Sequence, residues 1–83
     1  MIKENLKNQI FFKKGKLRRE IIKRLDKPKT AVELAKILHK HRSSVSRTLL
    51  ELEKKGFVRC INSIDMSFRY YELTKKGKIF LKR

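Results

Sequence analysis

Four side chains near the middle of the chain have the chemistry of anion and base-edge recognition: Arg42, Ser43, Ser44 and Arg47. Serine hydroxyls are short donors and acceptors, and an arginine guanidinium presents a planar fork of N–H donors. That fork matches the oxygens of a phosphate and the paired acceptors on the major-groove edge of guanine. At roughly 100° per residue on a helix, Val45, Leu49 and Leu52 fall on one side, while Ser43, Arg47 and Lys54 fall nearly opposite, with Ser44 and Glu51 beside them. One face of this segment is donor-rich and the other is built for burial. Thr48 sits nearer the core edge. Leu50 lies close to the polar side, where it can meet a thymine methyl or pack on another part of the chain.

The elements that must position this face are legible around it. A helix is expected from about Arg42 or Ser43 to Lys55, stopped by the basic last turn Lys54-Lys55 and Gly56. Upstream, Thr30-Ala31-Val32-Glu33 has the form of a capping box and opens a helix to about Leu38, with Leu34, Ala35 and Leu38 inward. His39-Lys40-His41 joins the two helices, and His39 takes the left-handed position, which histidine tolerates better than most non-glycine residues. Two histidines with no neighbouring carboxylate or second thiol do not make a metal site, and no cofactor is expected.

An earlier helix is expected over 16–26, with Leu17, Ile21, Ile22 and Leu25 on one face. Lys16, Arg18, Arg19, Lys23 and Arg24 cover the rest, and about half of such a face is ordinary solvated surface. Residues 26–29 are expected as a loop, since Pro28 disfavours helix at Lys27. After Gly56, Phe57–Ile61 and Phe68–Leu73 have strand composition and form a hairpin, with Tyr71 and Leu73 inward and Cys60 as a small apolar filler. The hairpin lacks the Asn-Gly signal of a two-residue turn, so its tip is longer. Thr74 caps a short final helix containing Ile79, Phe80 and Leu81. Residues 1–15 form a basic and aromatic lead-in, either helical or extended, whose Leu6, Ile10, Phe11 and Phe12 pack on the domain or on a second copy.

Composition sets the partner class. With 83 residues a single domain is expected, and 40% hydrophobic content is enough for a folded core. A net charge of +16 favours a polyanion partner. The charge is uneven: residues 1–29 carry eleven Lys/Arg against three acids, residues 30–56 six against three, and residues 57–83 seven against two. The helix pair is therefore the least basic region, which suits phosphate contacts around a more selective centre. One cysteine excludes a disulfide framework, and no apolar run can span a bilayer. There is no nucleophile–base set, paired-carboxylate site or phosphate-cradling glycine loop, so no enzyme and no small-molecule ligand is expected.

The pattern Glu33-Leu34-Ala35, Val45-Ser46-Arg47, Leu52-Glu53-Lys54-Lys55-Gly56-Phe57-Val58 and then Tyr71-Glu72-Leu73-Thr74-Lys75-Lys76-Gly77 resembles winged helix-turn-helix transcription regulators. It is especially similar to small archaeal members related to the MarR and ArsR groups. The resemblance covers about residues 16–83 and implies an α+β, mainly α fold: three helices, a two-stranded wing and a short C-terminal helix. It implies base reading by Ser43, Ser44, Ser46 and Arg47, with Lys29, Thr30, Lys40, His41 and Arg42 on the DNA backbone. Asn62, Ser63 and Arg69 fall in or beside the wing. The family usually has glycine and then an apolar residue where this chain has His39 and Lys40.

The expected function is sequence-specific binding of double-stranded DNA by a cytoplasmic, nucleoid-associated transcription regulator. A homodimer is expected through Leu6, Ile10, Phe11 and Phe12 or through the C-terminal helix around Phe80. The alternatives are a non-specific architectural DNA binder, which the charge supports, and an RNA-binding or protein-interaction module. The sequence shows no aromatic sheet platform of the kind used by single-strand RNA readers.

Overall fold

The computed structural model describes residues 15–62 and 68–82. The expected contacts of Leu6, Ile10, Phe11 and Phe12, and the wing position of Ser63, lie outside these residues. The described elements are helices α1 (Lys16–Arg24), α2 (Ala31–Leu38), α3 (Arg42–Lys54) and α4 (Lys75–Leu81), and strands β1 (Lys29–Thr30), β2 (Val58–Cys60) and β3 (Tyr70–Leu73). The strands form one antiparallel sheet in the order β1-β3-β2.

The apolar faces meet as their spacing predicts. Ile21 and Ile22 of α1, Leu34 of α2, and Val45, Leu49 and Leu52 of α3 are fully or almost fully buried, and Phe57, Val58, Tyr71 and Leu73 close the core from the sheet side. Burying one such side chain contributes roughly 1.5–3 kcal/mol, so this layer sets the helix orientations.

Both helices of the central pair end in the same way. The His39 N–H bonds to the Lys36 carbonyl at 3.4 Å and the Lys40 N–H to the Ala35 carbonyl at 3.0 Å. His39 stands at φ 55°, ψ 47°, the expected left-handed position. At the end of α3 the Gly56 N–H bonds to the Glu53 carbonyl at 3.0 Å and the Phe57 N–H to the Leu52 carbonyl at 2.9 Å, with Gly56 at φ +83°. These are Schellman terminations, which satisfy carbonyls that the helix cannot pair itself. The capping box also forms: the Thr30 hydroxyl accepts from the Glu33 N–H at 3.2 Å, and the Glu33 carboxylate accepts from the Thr30 N–H at 2.9 Å.

Two expectations need correction. The 26–29 stretch is not all loop, because Lys29 and Thr30 pair with Tyr71 and Tyr70 as β1. The wing hairpin is therefore part of a three-stranded sheet. Two residues carry no periodicity of their own, and their partners lie far along the chain. The second wing strand begins at Tyr70 rather than Phe68. Its approach is held by a side chain instead of a ladder: Asn62 Nδ2 donates to the Phe68 carbonyl at 2.6 Å, and Asn62 Oδ1 accepts from the Tyr70 N–H at 2.7 Å.

The Leu73-Thr74-x-x-Gly77 ending acquires a physical reason. The Thr74 N–H bonds to the Phe57 carbonyl at 3.0 Å, and the Thr74 hydroxyl donates to the Gly56 carbonyl at 2.5 Å while accepting from the Gly77 N–H at 3.2 Å. The first turn of α4 thereby lies against the end of α3. A Cβ on Gly77 would stand 2.3 Å from the Phe57 carbonyl oxygen. Replacing a helical glycine by alanine ordinarily gains about 1 kcal/mol. Gly77→Ala should reverse that sign and lose about 1–3 kcal/mol in urea denaturation; an unchanged or raised midpoint would show that the junction opens without penalty.

Candidate nucleic-acid interface

The face of α3 away from the core is open along its length. Ser43, Ser44, Arg47, Leu50 and Lys54 are exposed, whereas Val45, Leu49 and Leu52 are fully buried. Thr48 belongs with the buried set at 8% exposure, and its hydroxyl donates back to the Ser44 carbonyl at 2.9 Å. His41 at the N-cap makes no side-chain capping bond. The first turn of α3 thus carries Arg42, Ser43 and Ser44 with no capping side chain over its amides, and the helix dipole adds partial positive charge there.

The candidate residues separate into distinct environments. Arg42, Ser43, Ser44 and Arg47 share the exposed start and outer face of α3. Ser46 is half-buried at the flank, in a groove of about 290 Å³ that runs from Thr30 of β1 and Val32 of α2, past Arg42 and Leu50, to Arg69 of the wing. Lys40 and His41 stand exposed on the turn. The groove joins α3 to the wing, so Ser46 and Arg69 line one groove although the sequence separates them widely.

Other candidates are committed elsewhere. Thr30 is buried, and its hydroxyl serves the capping box. Lys29 is ion-paired to Asp26 at 2.8 Å, and that lysine holds the Asp26 carboxyl below its ordinary pKa. Asn62 braces the hairpin with both ends of its amide. Burial pushes the Tyr71 phenol above its ordinary value of 10, a rise opposed by its hydrogen bond with Arg69. Phe80 packs edge-on against Phe57, with ring centroids 5.8 Å apart, so the apolar groups that α4 exposes are Ile79 and Leu81 rather than Phe80.

Two supports of α3 escaped the sequence. Arg18 of α1 bonds to Glu51 of α3 at 2.9 Å, a tie between side chains with no local signal linking them. Lys76 donates to the Lys55 carbonyl at 2.8 Å and lies 4.7 Å from the centre of the Phe57 ring. Among the described residues no group of three or more His, Cys, Asp or Glu is placed to hold a metal ion.

The brace on the hairpin is directly measurable. Asn62→Ala should cost about 1 kcal/mol and speed hydrogen exchange at the Tyr70 amide, which loses its acceptor. Unchanged exchange at that amide would show that the side-chain bonds do not hold the strand.

Comparison with known proteins agrees with this arrangement. Residues 20–63 match the model of the MarR family. No curated protein matches the sequence. Among solved structures, the adhesin competence repressor AdcR of Streptococcus pyogenes superposes with a TM-score of 0.75 at 24% identity over 95% of this chain and 65% of its own. The transcriptional regulator BldR of Sulfolobus solfataricus gives a TM-score of 0.72 at 26% identity over 96% of this chain and 71% of its own. FabT of Streptococcus pneumoniae, solved in complex with DNA, gives a TM-score of 0.68 at 26% identity over 82% of this chain and 49% of its own. The chain thus spans less than two thirds of the length of AdcR and about half that of FabT.

Proposed function

The chain belongs to the MarR family, and on that premise we propose that it is a sequence-specific, double-stranded-DNA-binding transcription regulator. Residues 16–83 form the DNA-binding domain and 1–15 a lead-in to it. Helix α3 enters the major groove, and the wing over 57–73 meets the adjacent backbone or minor groove. The observation that carries this reading is the exposed row of Ser43, Ser44 and Arg47 on a helix whose opposite face is locked in the core. A reader must hold its donors in fixed register with base edges, and a rigidly backed helix does so.

In this reading Arg47 is the principal base contact, and Ser43, Ser44 and Ser46 contribute shorter bonds. Arg42, Lys40 and His41 face the phosphates beside the major groove, and Arg69 faces them from the wing. Thr30 and Lys29 act mainly by holding the start of α2, given their internal partners. Asn62 acts by holding the wing in place. Solved relatives include a repressor and transcription regulators, and the reading contains no catalytic step. A homodimer, joined through the lead-in or through the exposed Ile79 and Leu81 of α4, would present two copies of α3 to a two-fold site. Cytoplasmic, nucleoid-associated placement follows from the partner; among the described residues no helix is long and apolar enough to cross a membrane.

The net charge of +16 favours one competing reading, a non-specific architectural binder. Selection of bound fragments from a random duplex pool separates the two, because an architectural protein yields no consensus. If about five phosphates are neutralised, log K should fall against log salt with a slope near −4.5, and affinity that barely responds to salt would remove the DNA assignment. Arg47→Ala should lose about 1–3 kcal/mol of discrimination between the selected site and a mismatched one, measured by competition binding; full retention of preference would place base reading elsewhere.

A further inference from the structure

We propose that Leu50 of α3 selects a thymine in the DNA site by contact with the 5-methyl group of that base. Val45, Leu49 and Leu52 of the same helix are fully buried, whereas Leu50 is 48% exposed. Steps of four, three and four residues along α3 join Ser43, Arg47, Leu50 and Lys54 into one exposed row opposite the core. Leu50 is thus an apolar group in the middle of a polar row. It also lines the groove that runs to the wing, beside Arg42 and Ser46. This contact rests on the entry of α3 into the major groove, and it adds an apolar component to the hydrogen bonds of Arg47 and the serines.

The chemistry of the base edges decides what such a side chain accepts. In the major groove adenine and cytosine present an amino group, guanine presents two acceptors, and thymine alone presents a methyl group. An apolar side chain set against an amino or carbonyl group removes its water and returns no hydrogen bond, which is unfavourable. Set against the methyl group, it buries apolar surface on both sides. Leu50 therefore favours thymine and disfavours the other three bases. The surrounding cations decide against a protein partner: Arg47 and Lys54 share its row and Arg42 its groove, which draws a polyanion to this surface. The free half of one leucine also falls far short of the roughly 800 Å² that each partner contributes to a stable protein interface. Leu50 lies about one turn beyond Arg47, a rise of about 4.5 Å, against about 3.4 Å between base pairs. The thymine it meets therefore lies within about two base pairs of the guanine met by Arg47.

The test is fluorescence anisotropy on the full chain with a duplex selected from a random pool, in which each thymidine is replaced in turn by deoxyuridine. That change removes the methyl group and leaves every hydrogen-bonding group in place. At one position the affinity of the unaltered chain should fall about fourfold, the effect of one buried methyl group. Leu50→Ala should bind the thymidine and deoxyuridine duplexes equally at that position. Leu50 is exposed, so this variant keeps the core intact, and circular dichroism matching the unaltered chain verifies its fold. A methyl effect of equal size in both proteins would place another group against the thymine and overturn the contact. Leu50→Ala that weakens both duplexes alike, with the unaltered chain indifferent to the methyl group, would assign Leu50 to packing in the groove and overturn it too. A pool that yields no consensus would remove sequence reading itself and this contact with it, whereas a consensus with no methyl-dependent thymine would remove the contact alone.

Discussion

The carbonyl groups that close α3 are the point on which the rest of the structure depends. Residues 55–57 receive the Lys76 ammonium, the Thr74 hydroxyl and the Thr74 amide on three successive carbonyls. The same turn buries Phe57, which meets Phe80 edge-on and lies beneath Lys76. The end of α3, the start of β2, the end of β3 and the start of α4 are therefore one joint. Main-chain hydrogen bonds are directional and short, so a joint built from them fixes angle as well as position. Gly77 is the residue that lets α4 come close enough to make it.

From this joint the division of labour along α3 follows. Its C-terminal half is anchored by the turn and by the Arg18–Glu51 tie, and its first turn displays Arg42, Ser43 and Ser44 to solvent. The nearby acids are largely occupied: Glu33 by the cap, Glu51 by Arg18, Asp26 by Lys29 and Glu72 by Arg59. Each such pair removes an acid from competition with an anionic partner. Exposed pairs of this kind add little to stability, so their main effect is on the shape of the positive field.

Local signals carried much of the architecture. The Thr30–Glu33 spacing, the Gly56 stop, the Thr74 cap and the fourfold spacing in α1 each act within one or two turns, and each formed as its local chemistry requires. His39 shows the limit of pattern matching in the other direction. It departs from the glycine usual in such turns, yet it adopts the left-handed geometry and makes both Schellman bonds. The strand β1 was not legible, because two residues have no period and gain their identity from Tyr70 and Tyr71. Nor was the bracing by Asn62, a residue whose type and position in the wing equally suit a ligand contact.

The sequence by itself determined which segments become helices, where they stop, which faces are apolar, and a charge of +16 that favours a polyanion. These are properties of spacing, capping and charge, and neighbours in the chain suffice to express them. Tertiary structure alone decided which donors remain available. It withdrew Thr30, Lys29 and Asn62 into internal bonds, joined Ser46 to Arg69 across one groove, turned Phe80 inward, and left Tyr70 exposed on β3. The physical reason is that exposure and hydrogen-bond availability depend on what packs opposite a residue, and that neighbour comes from a distant part of the chain.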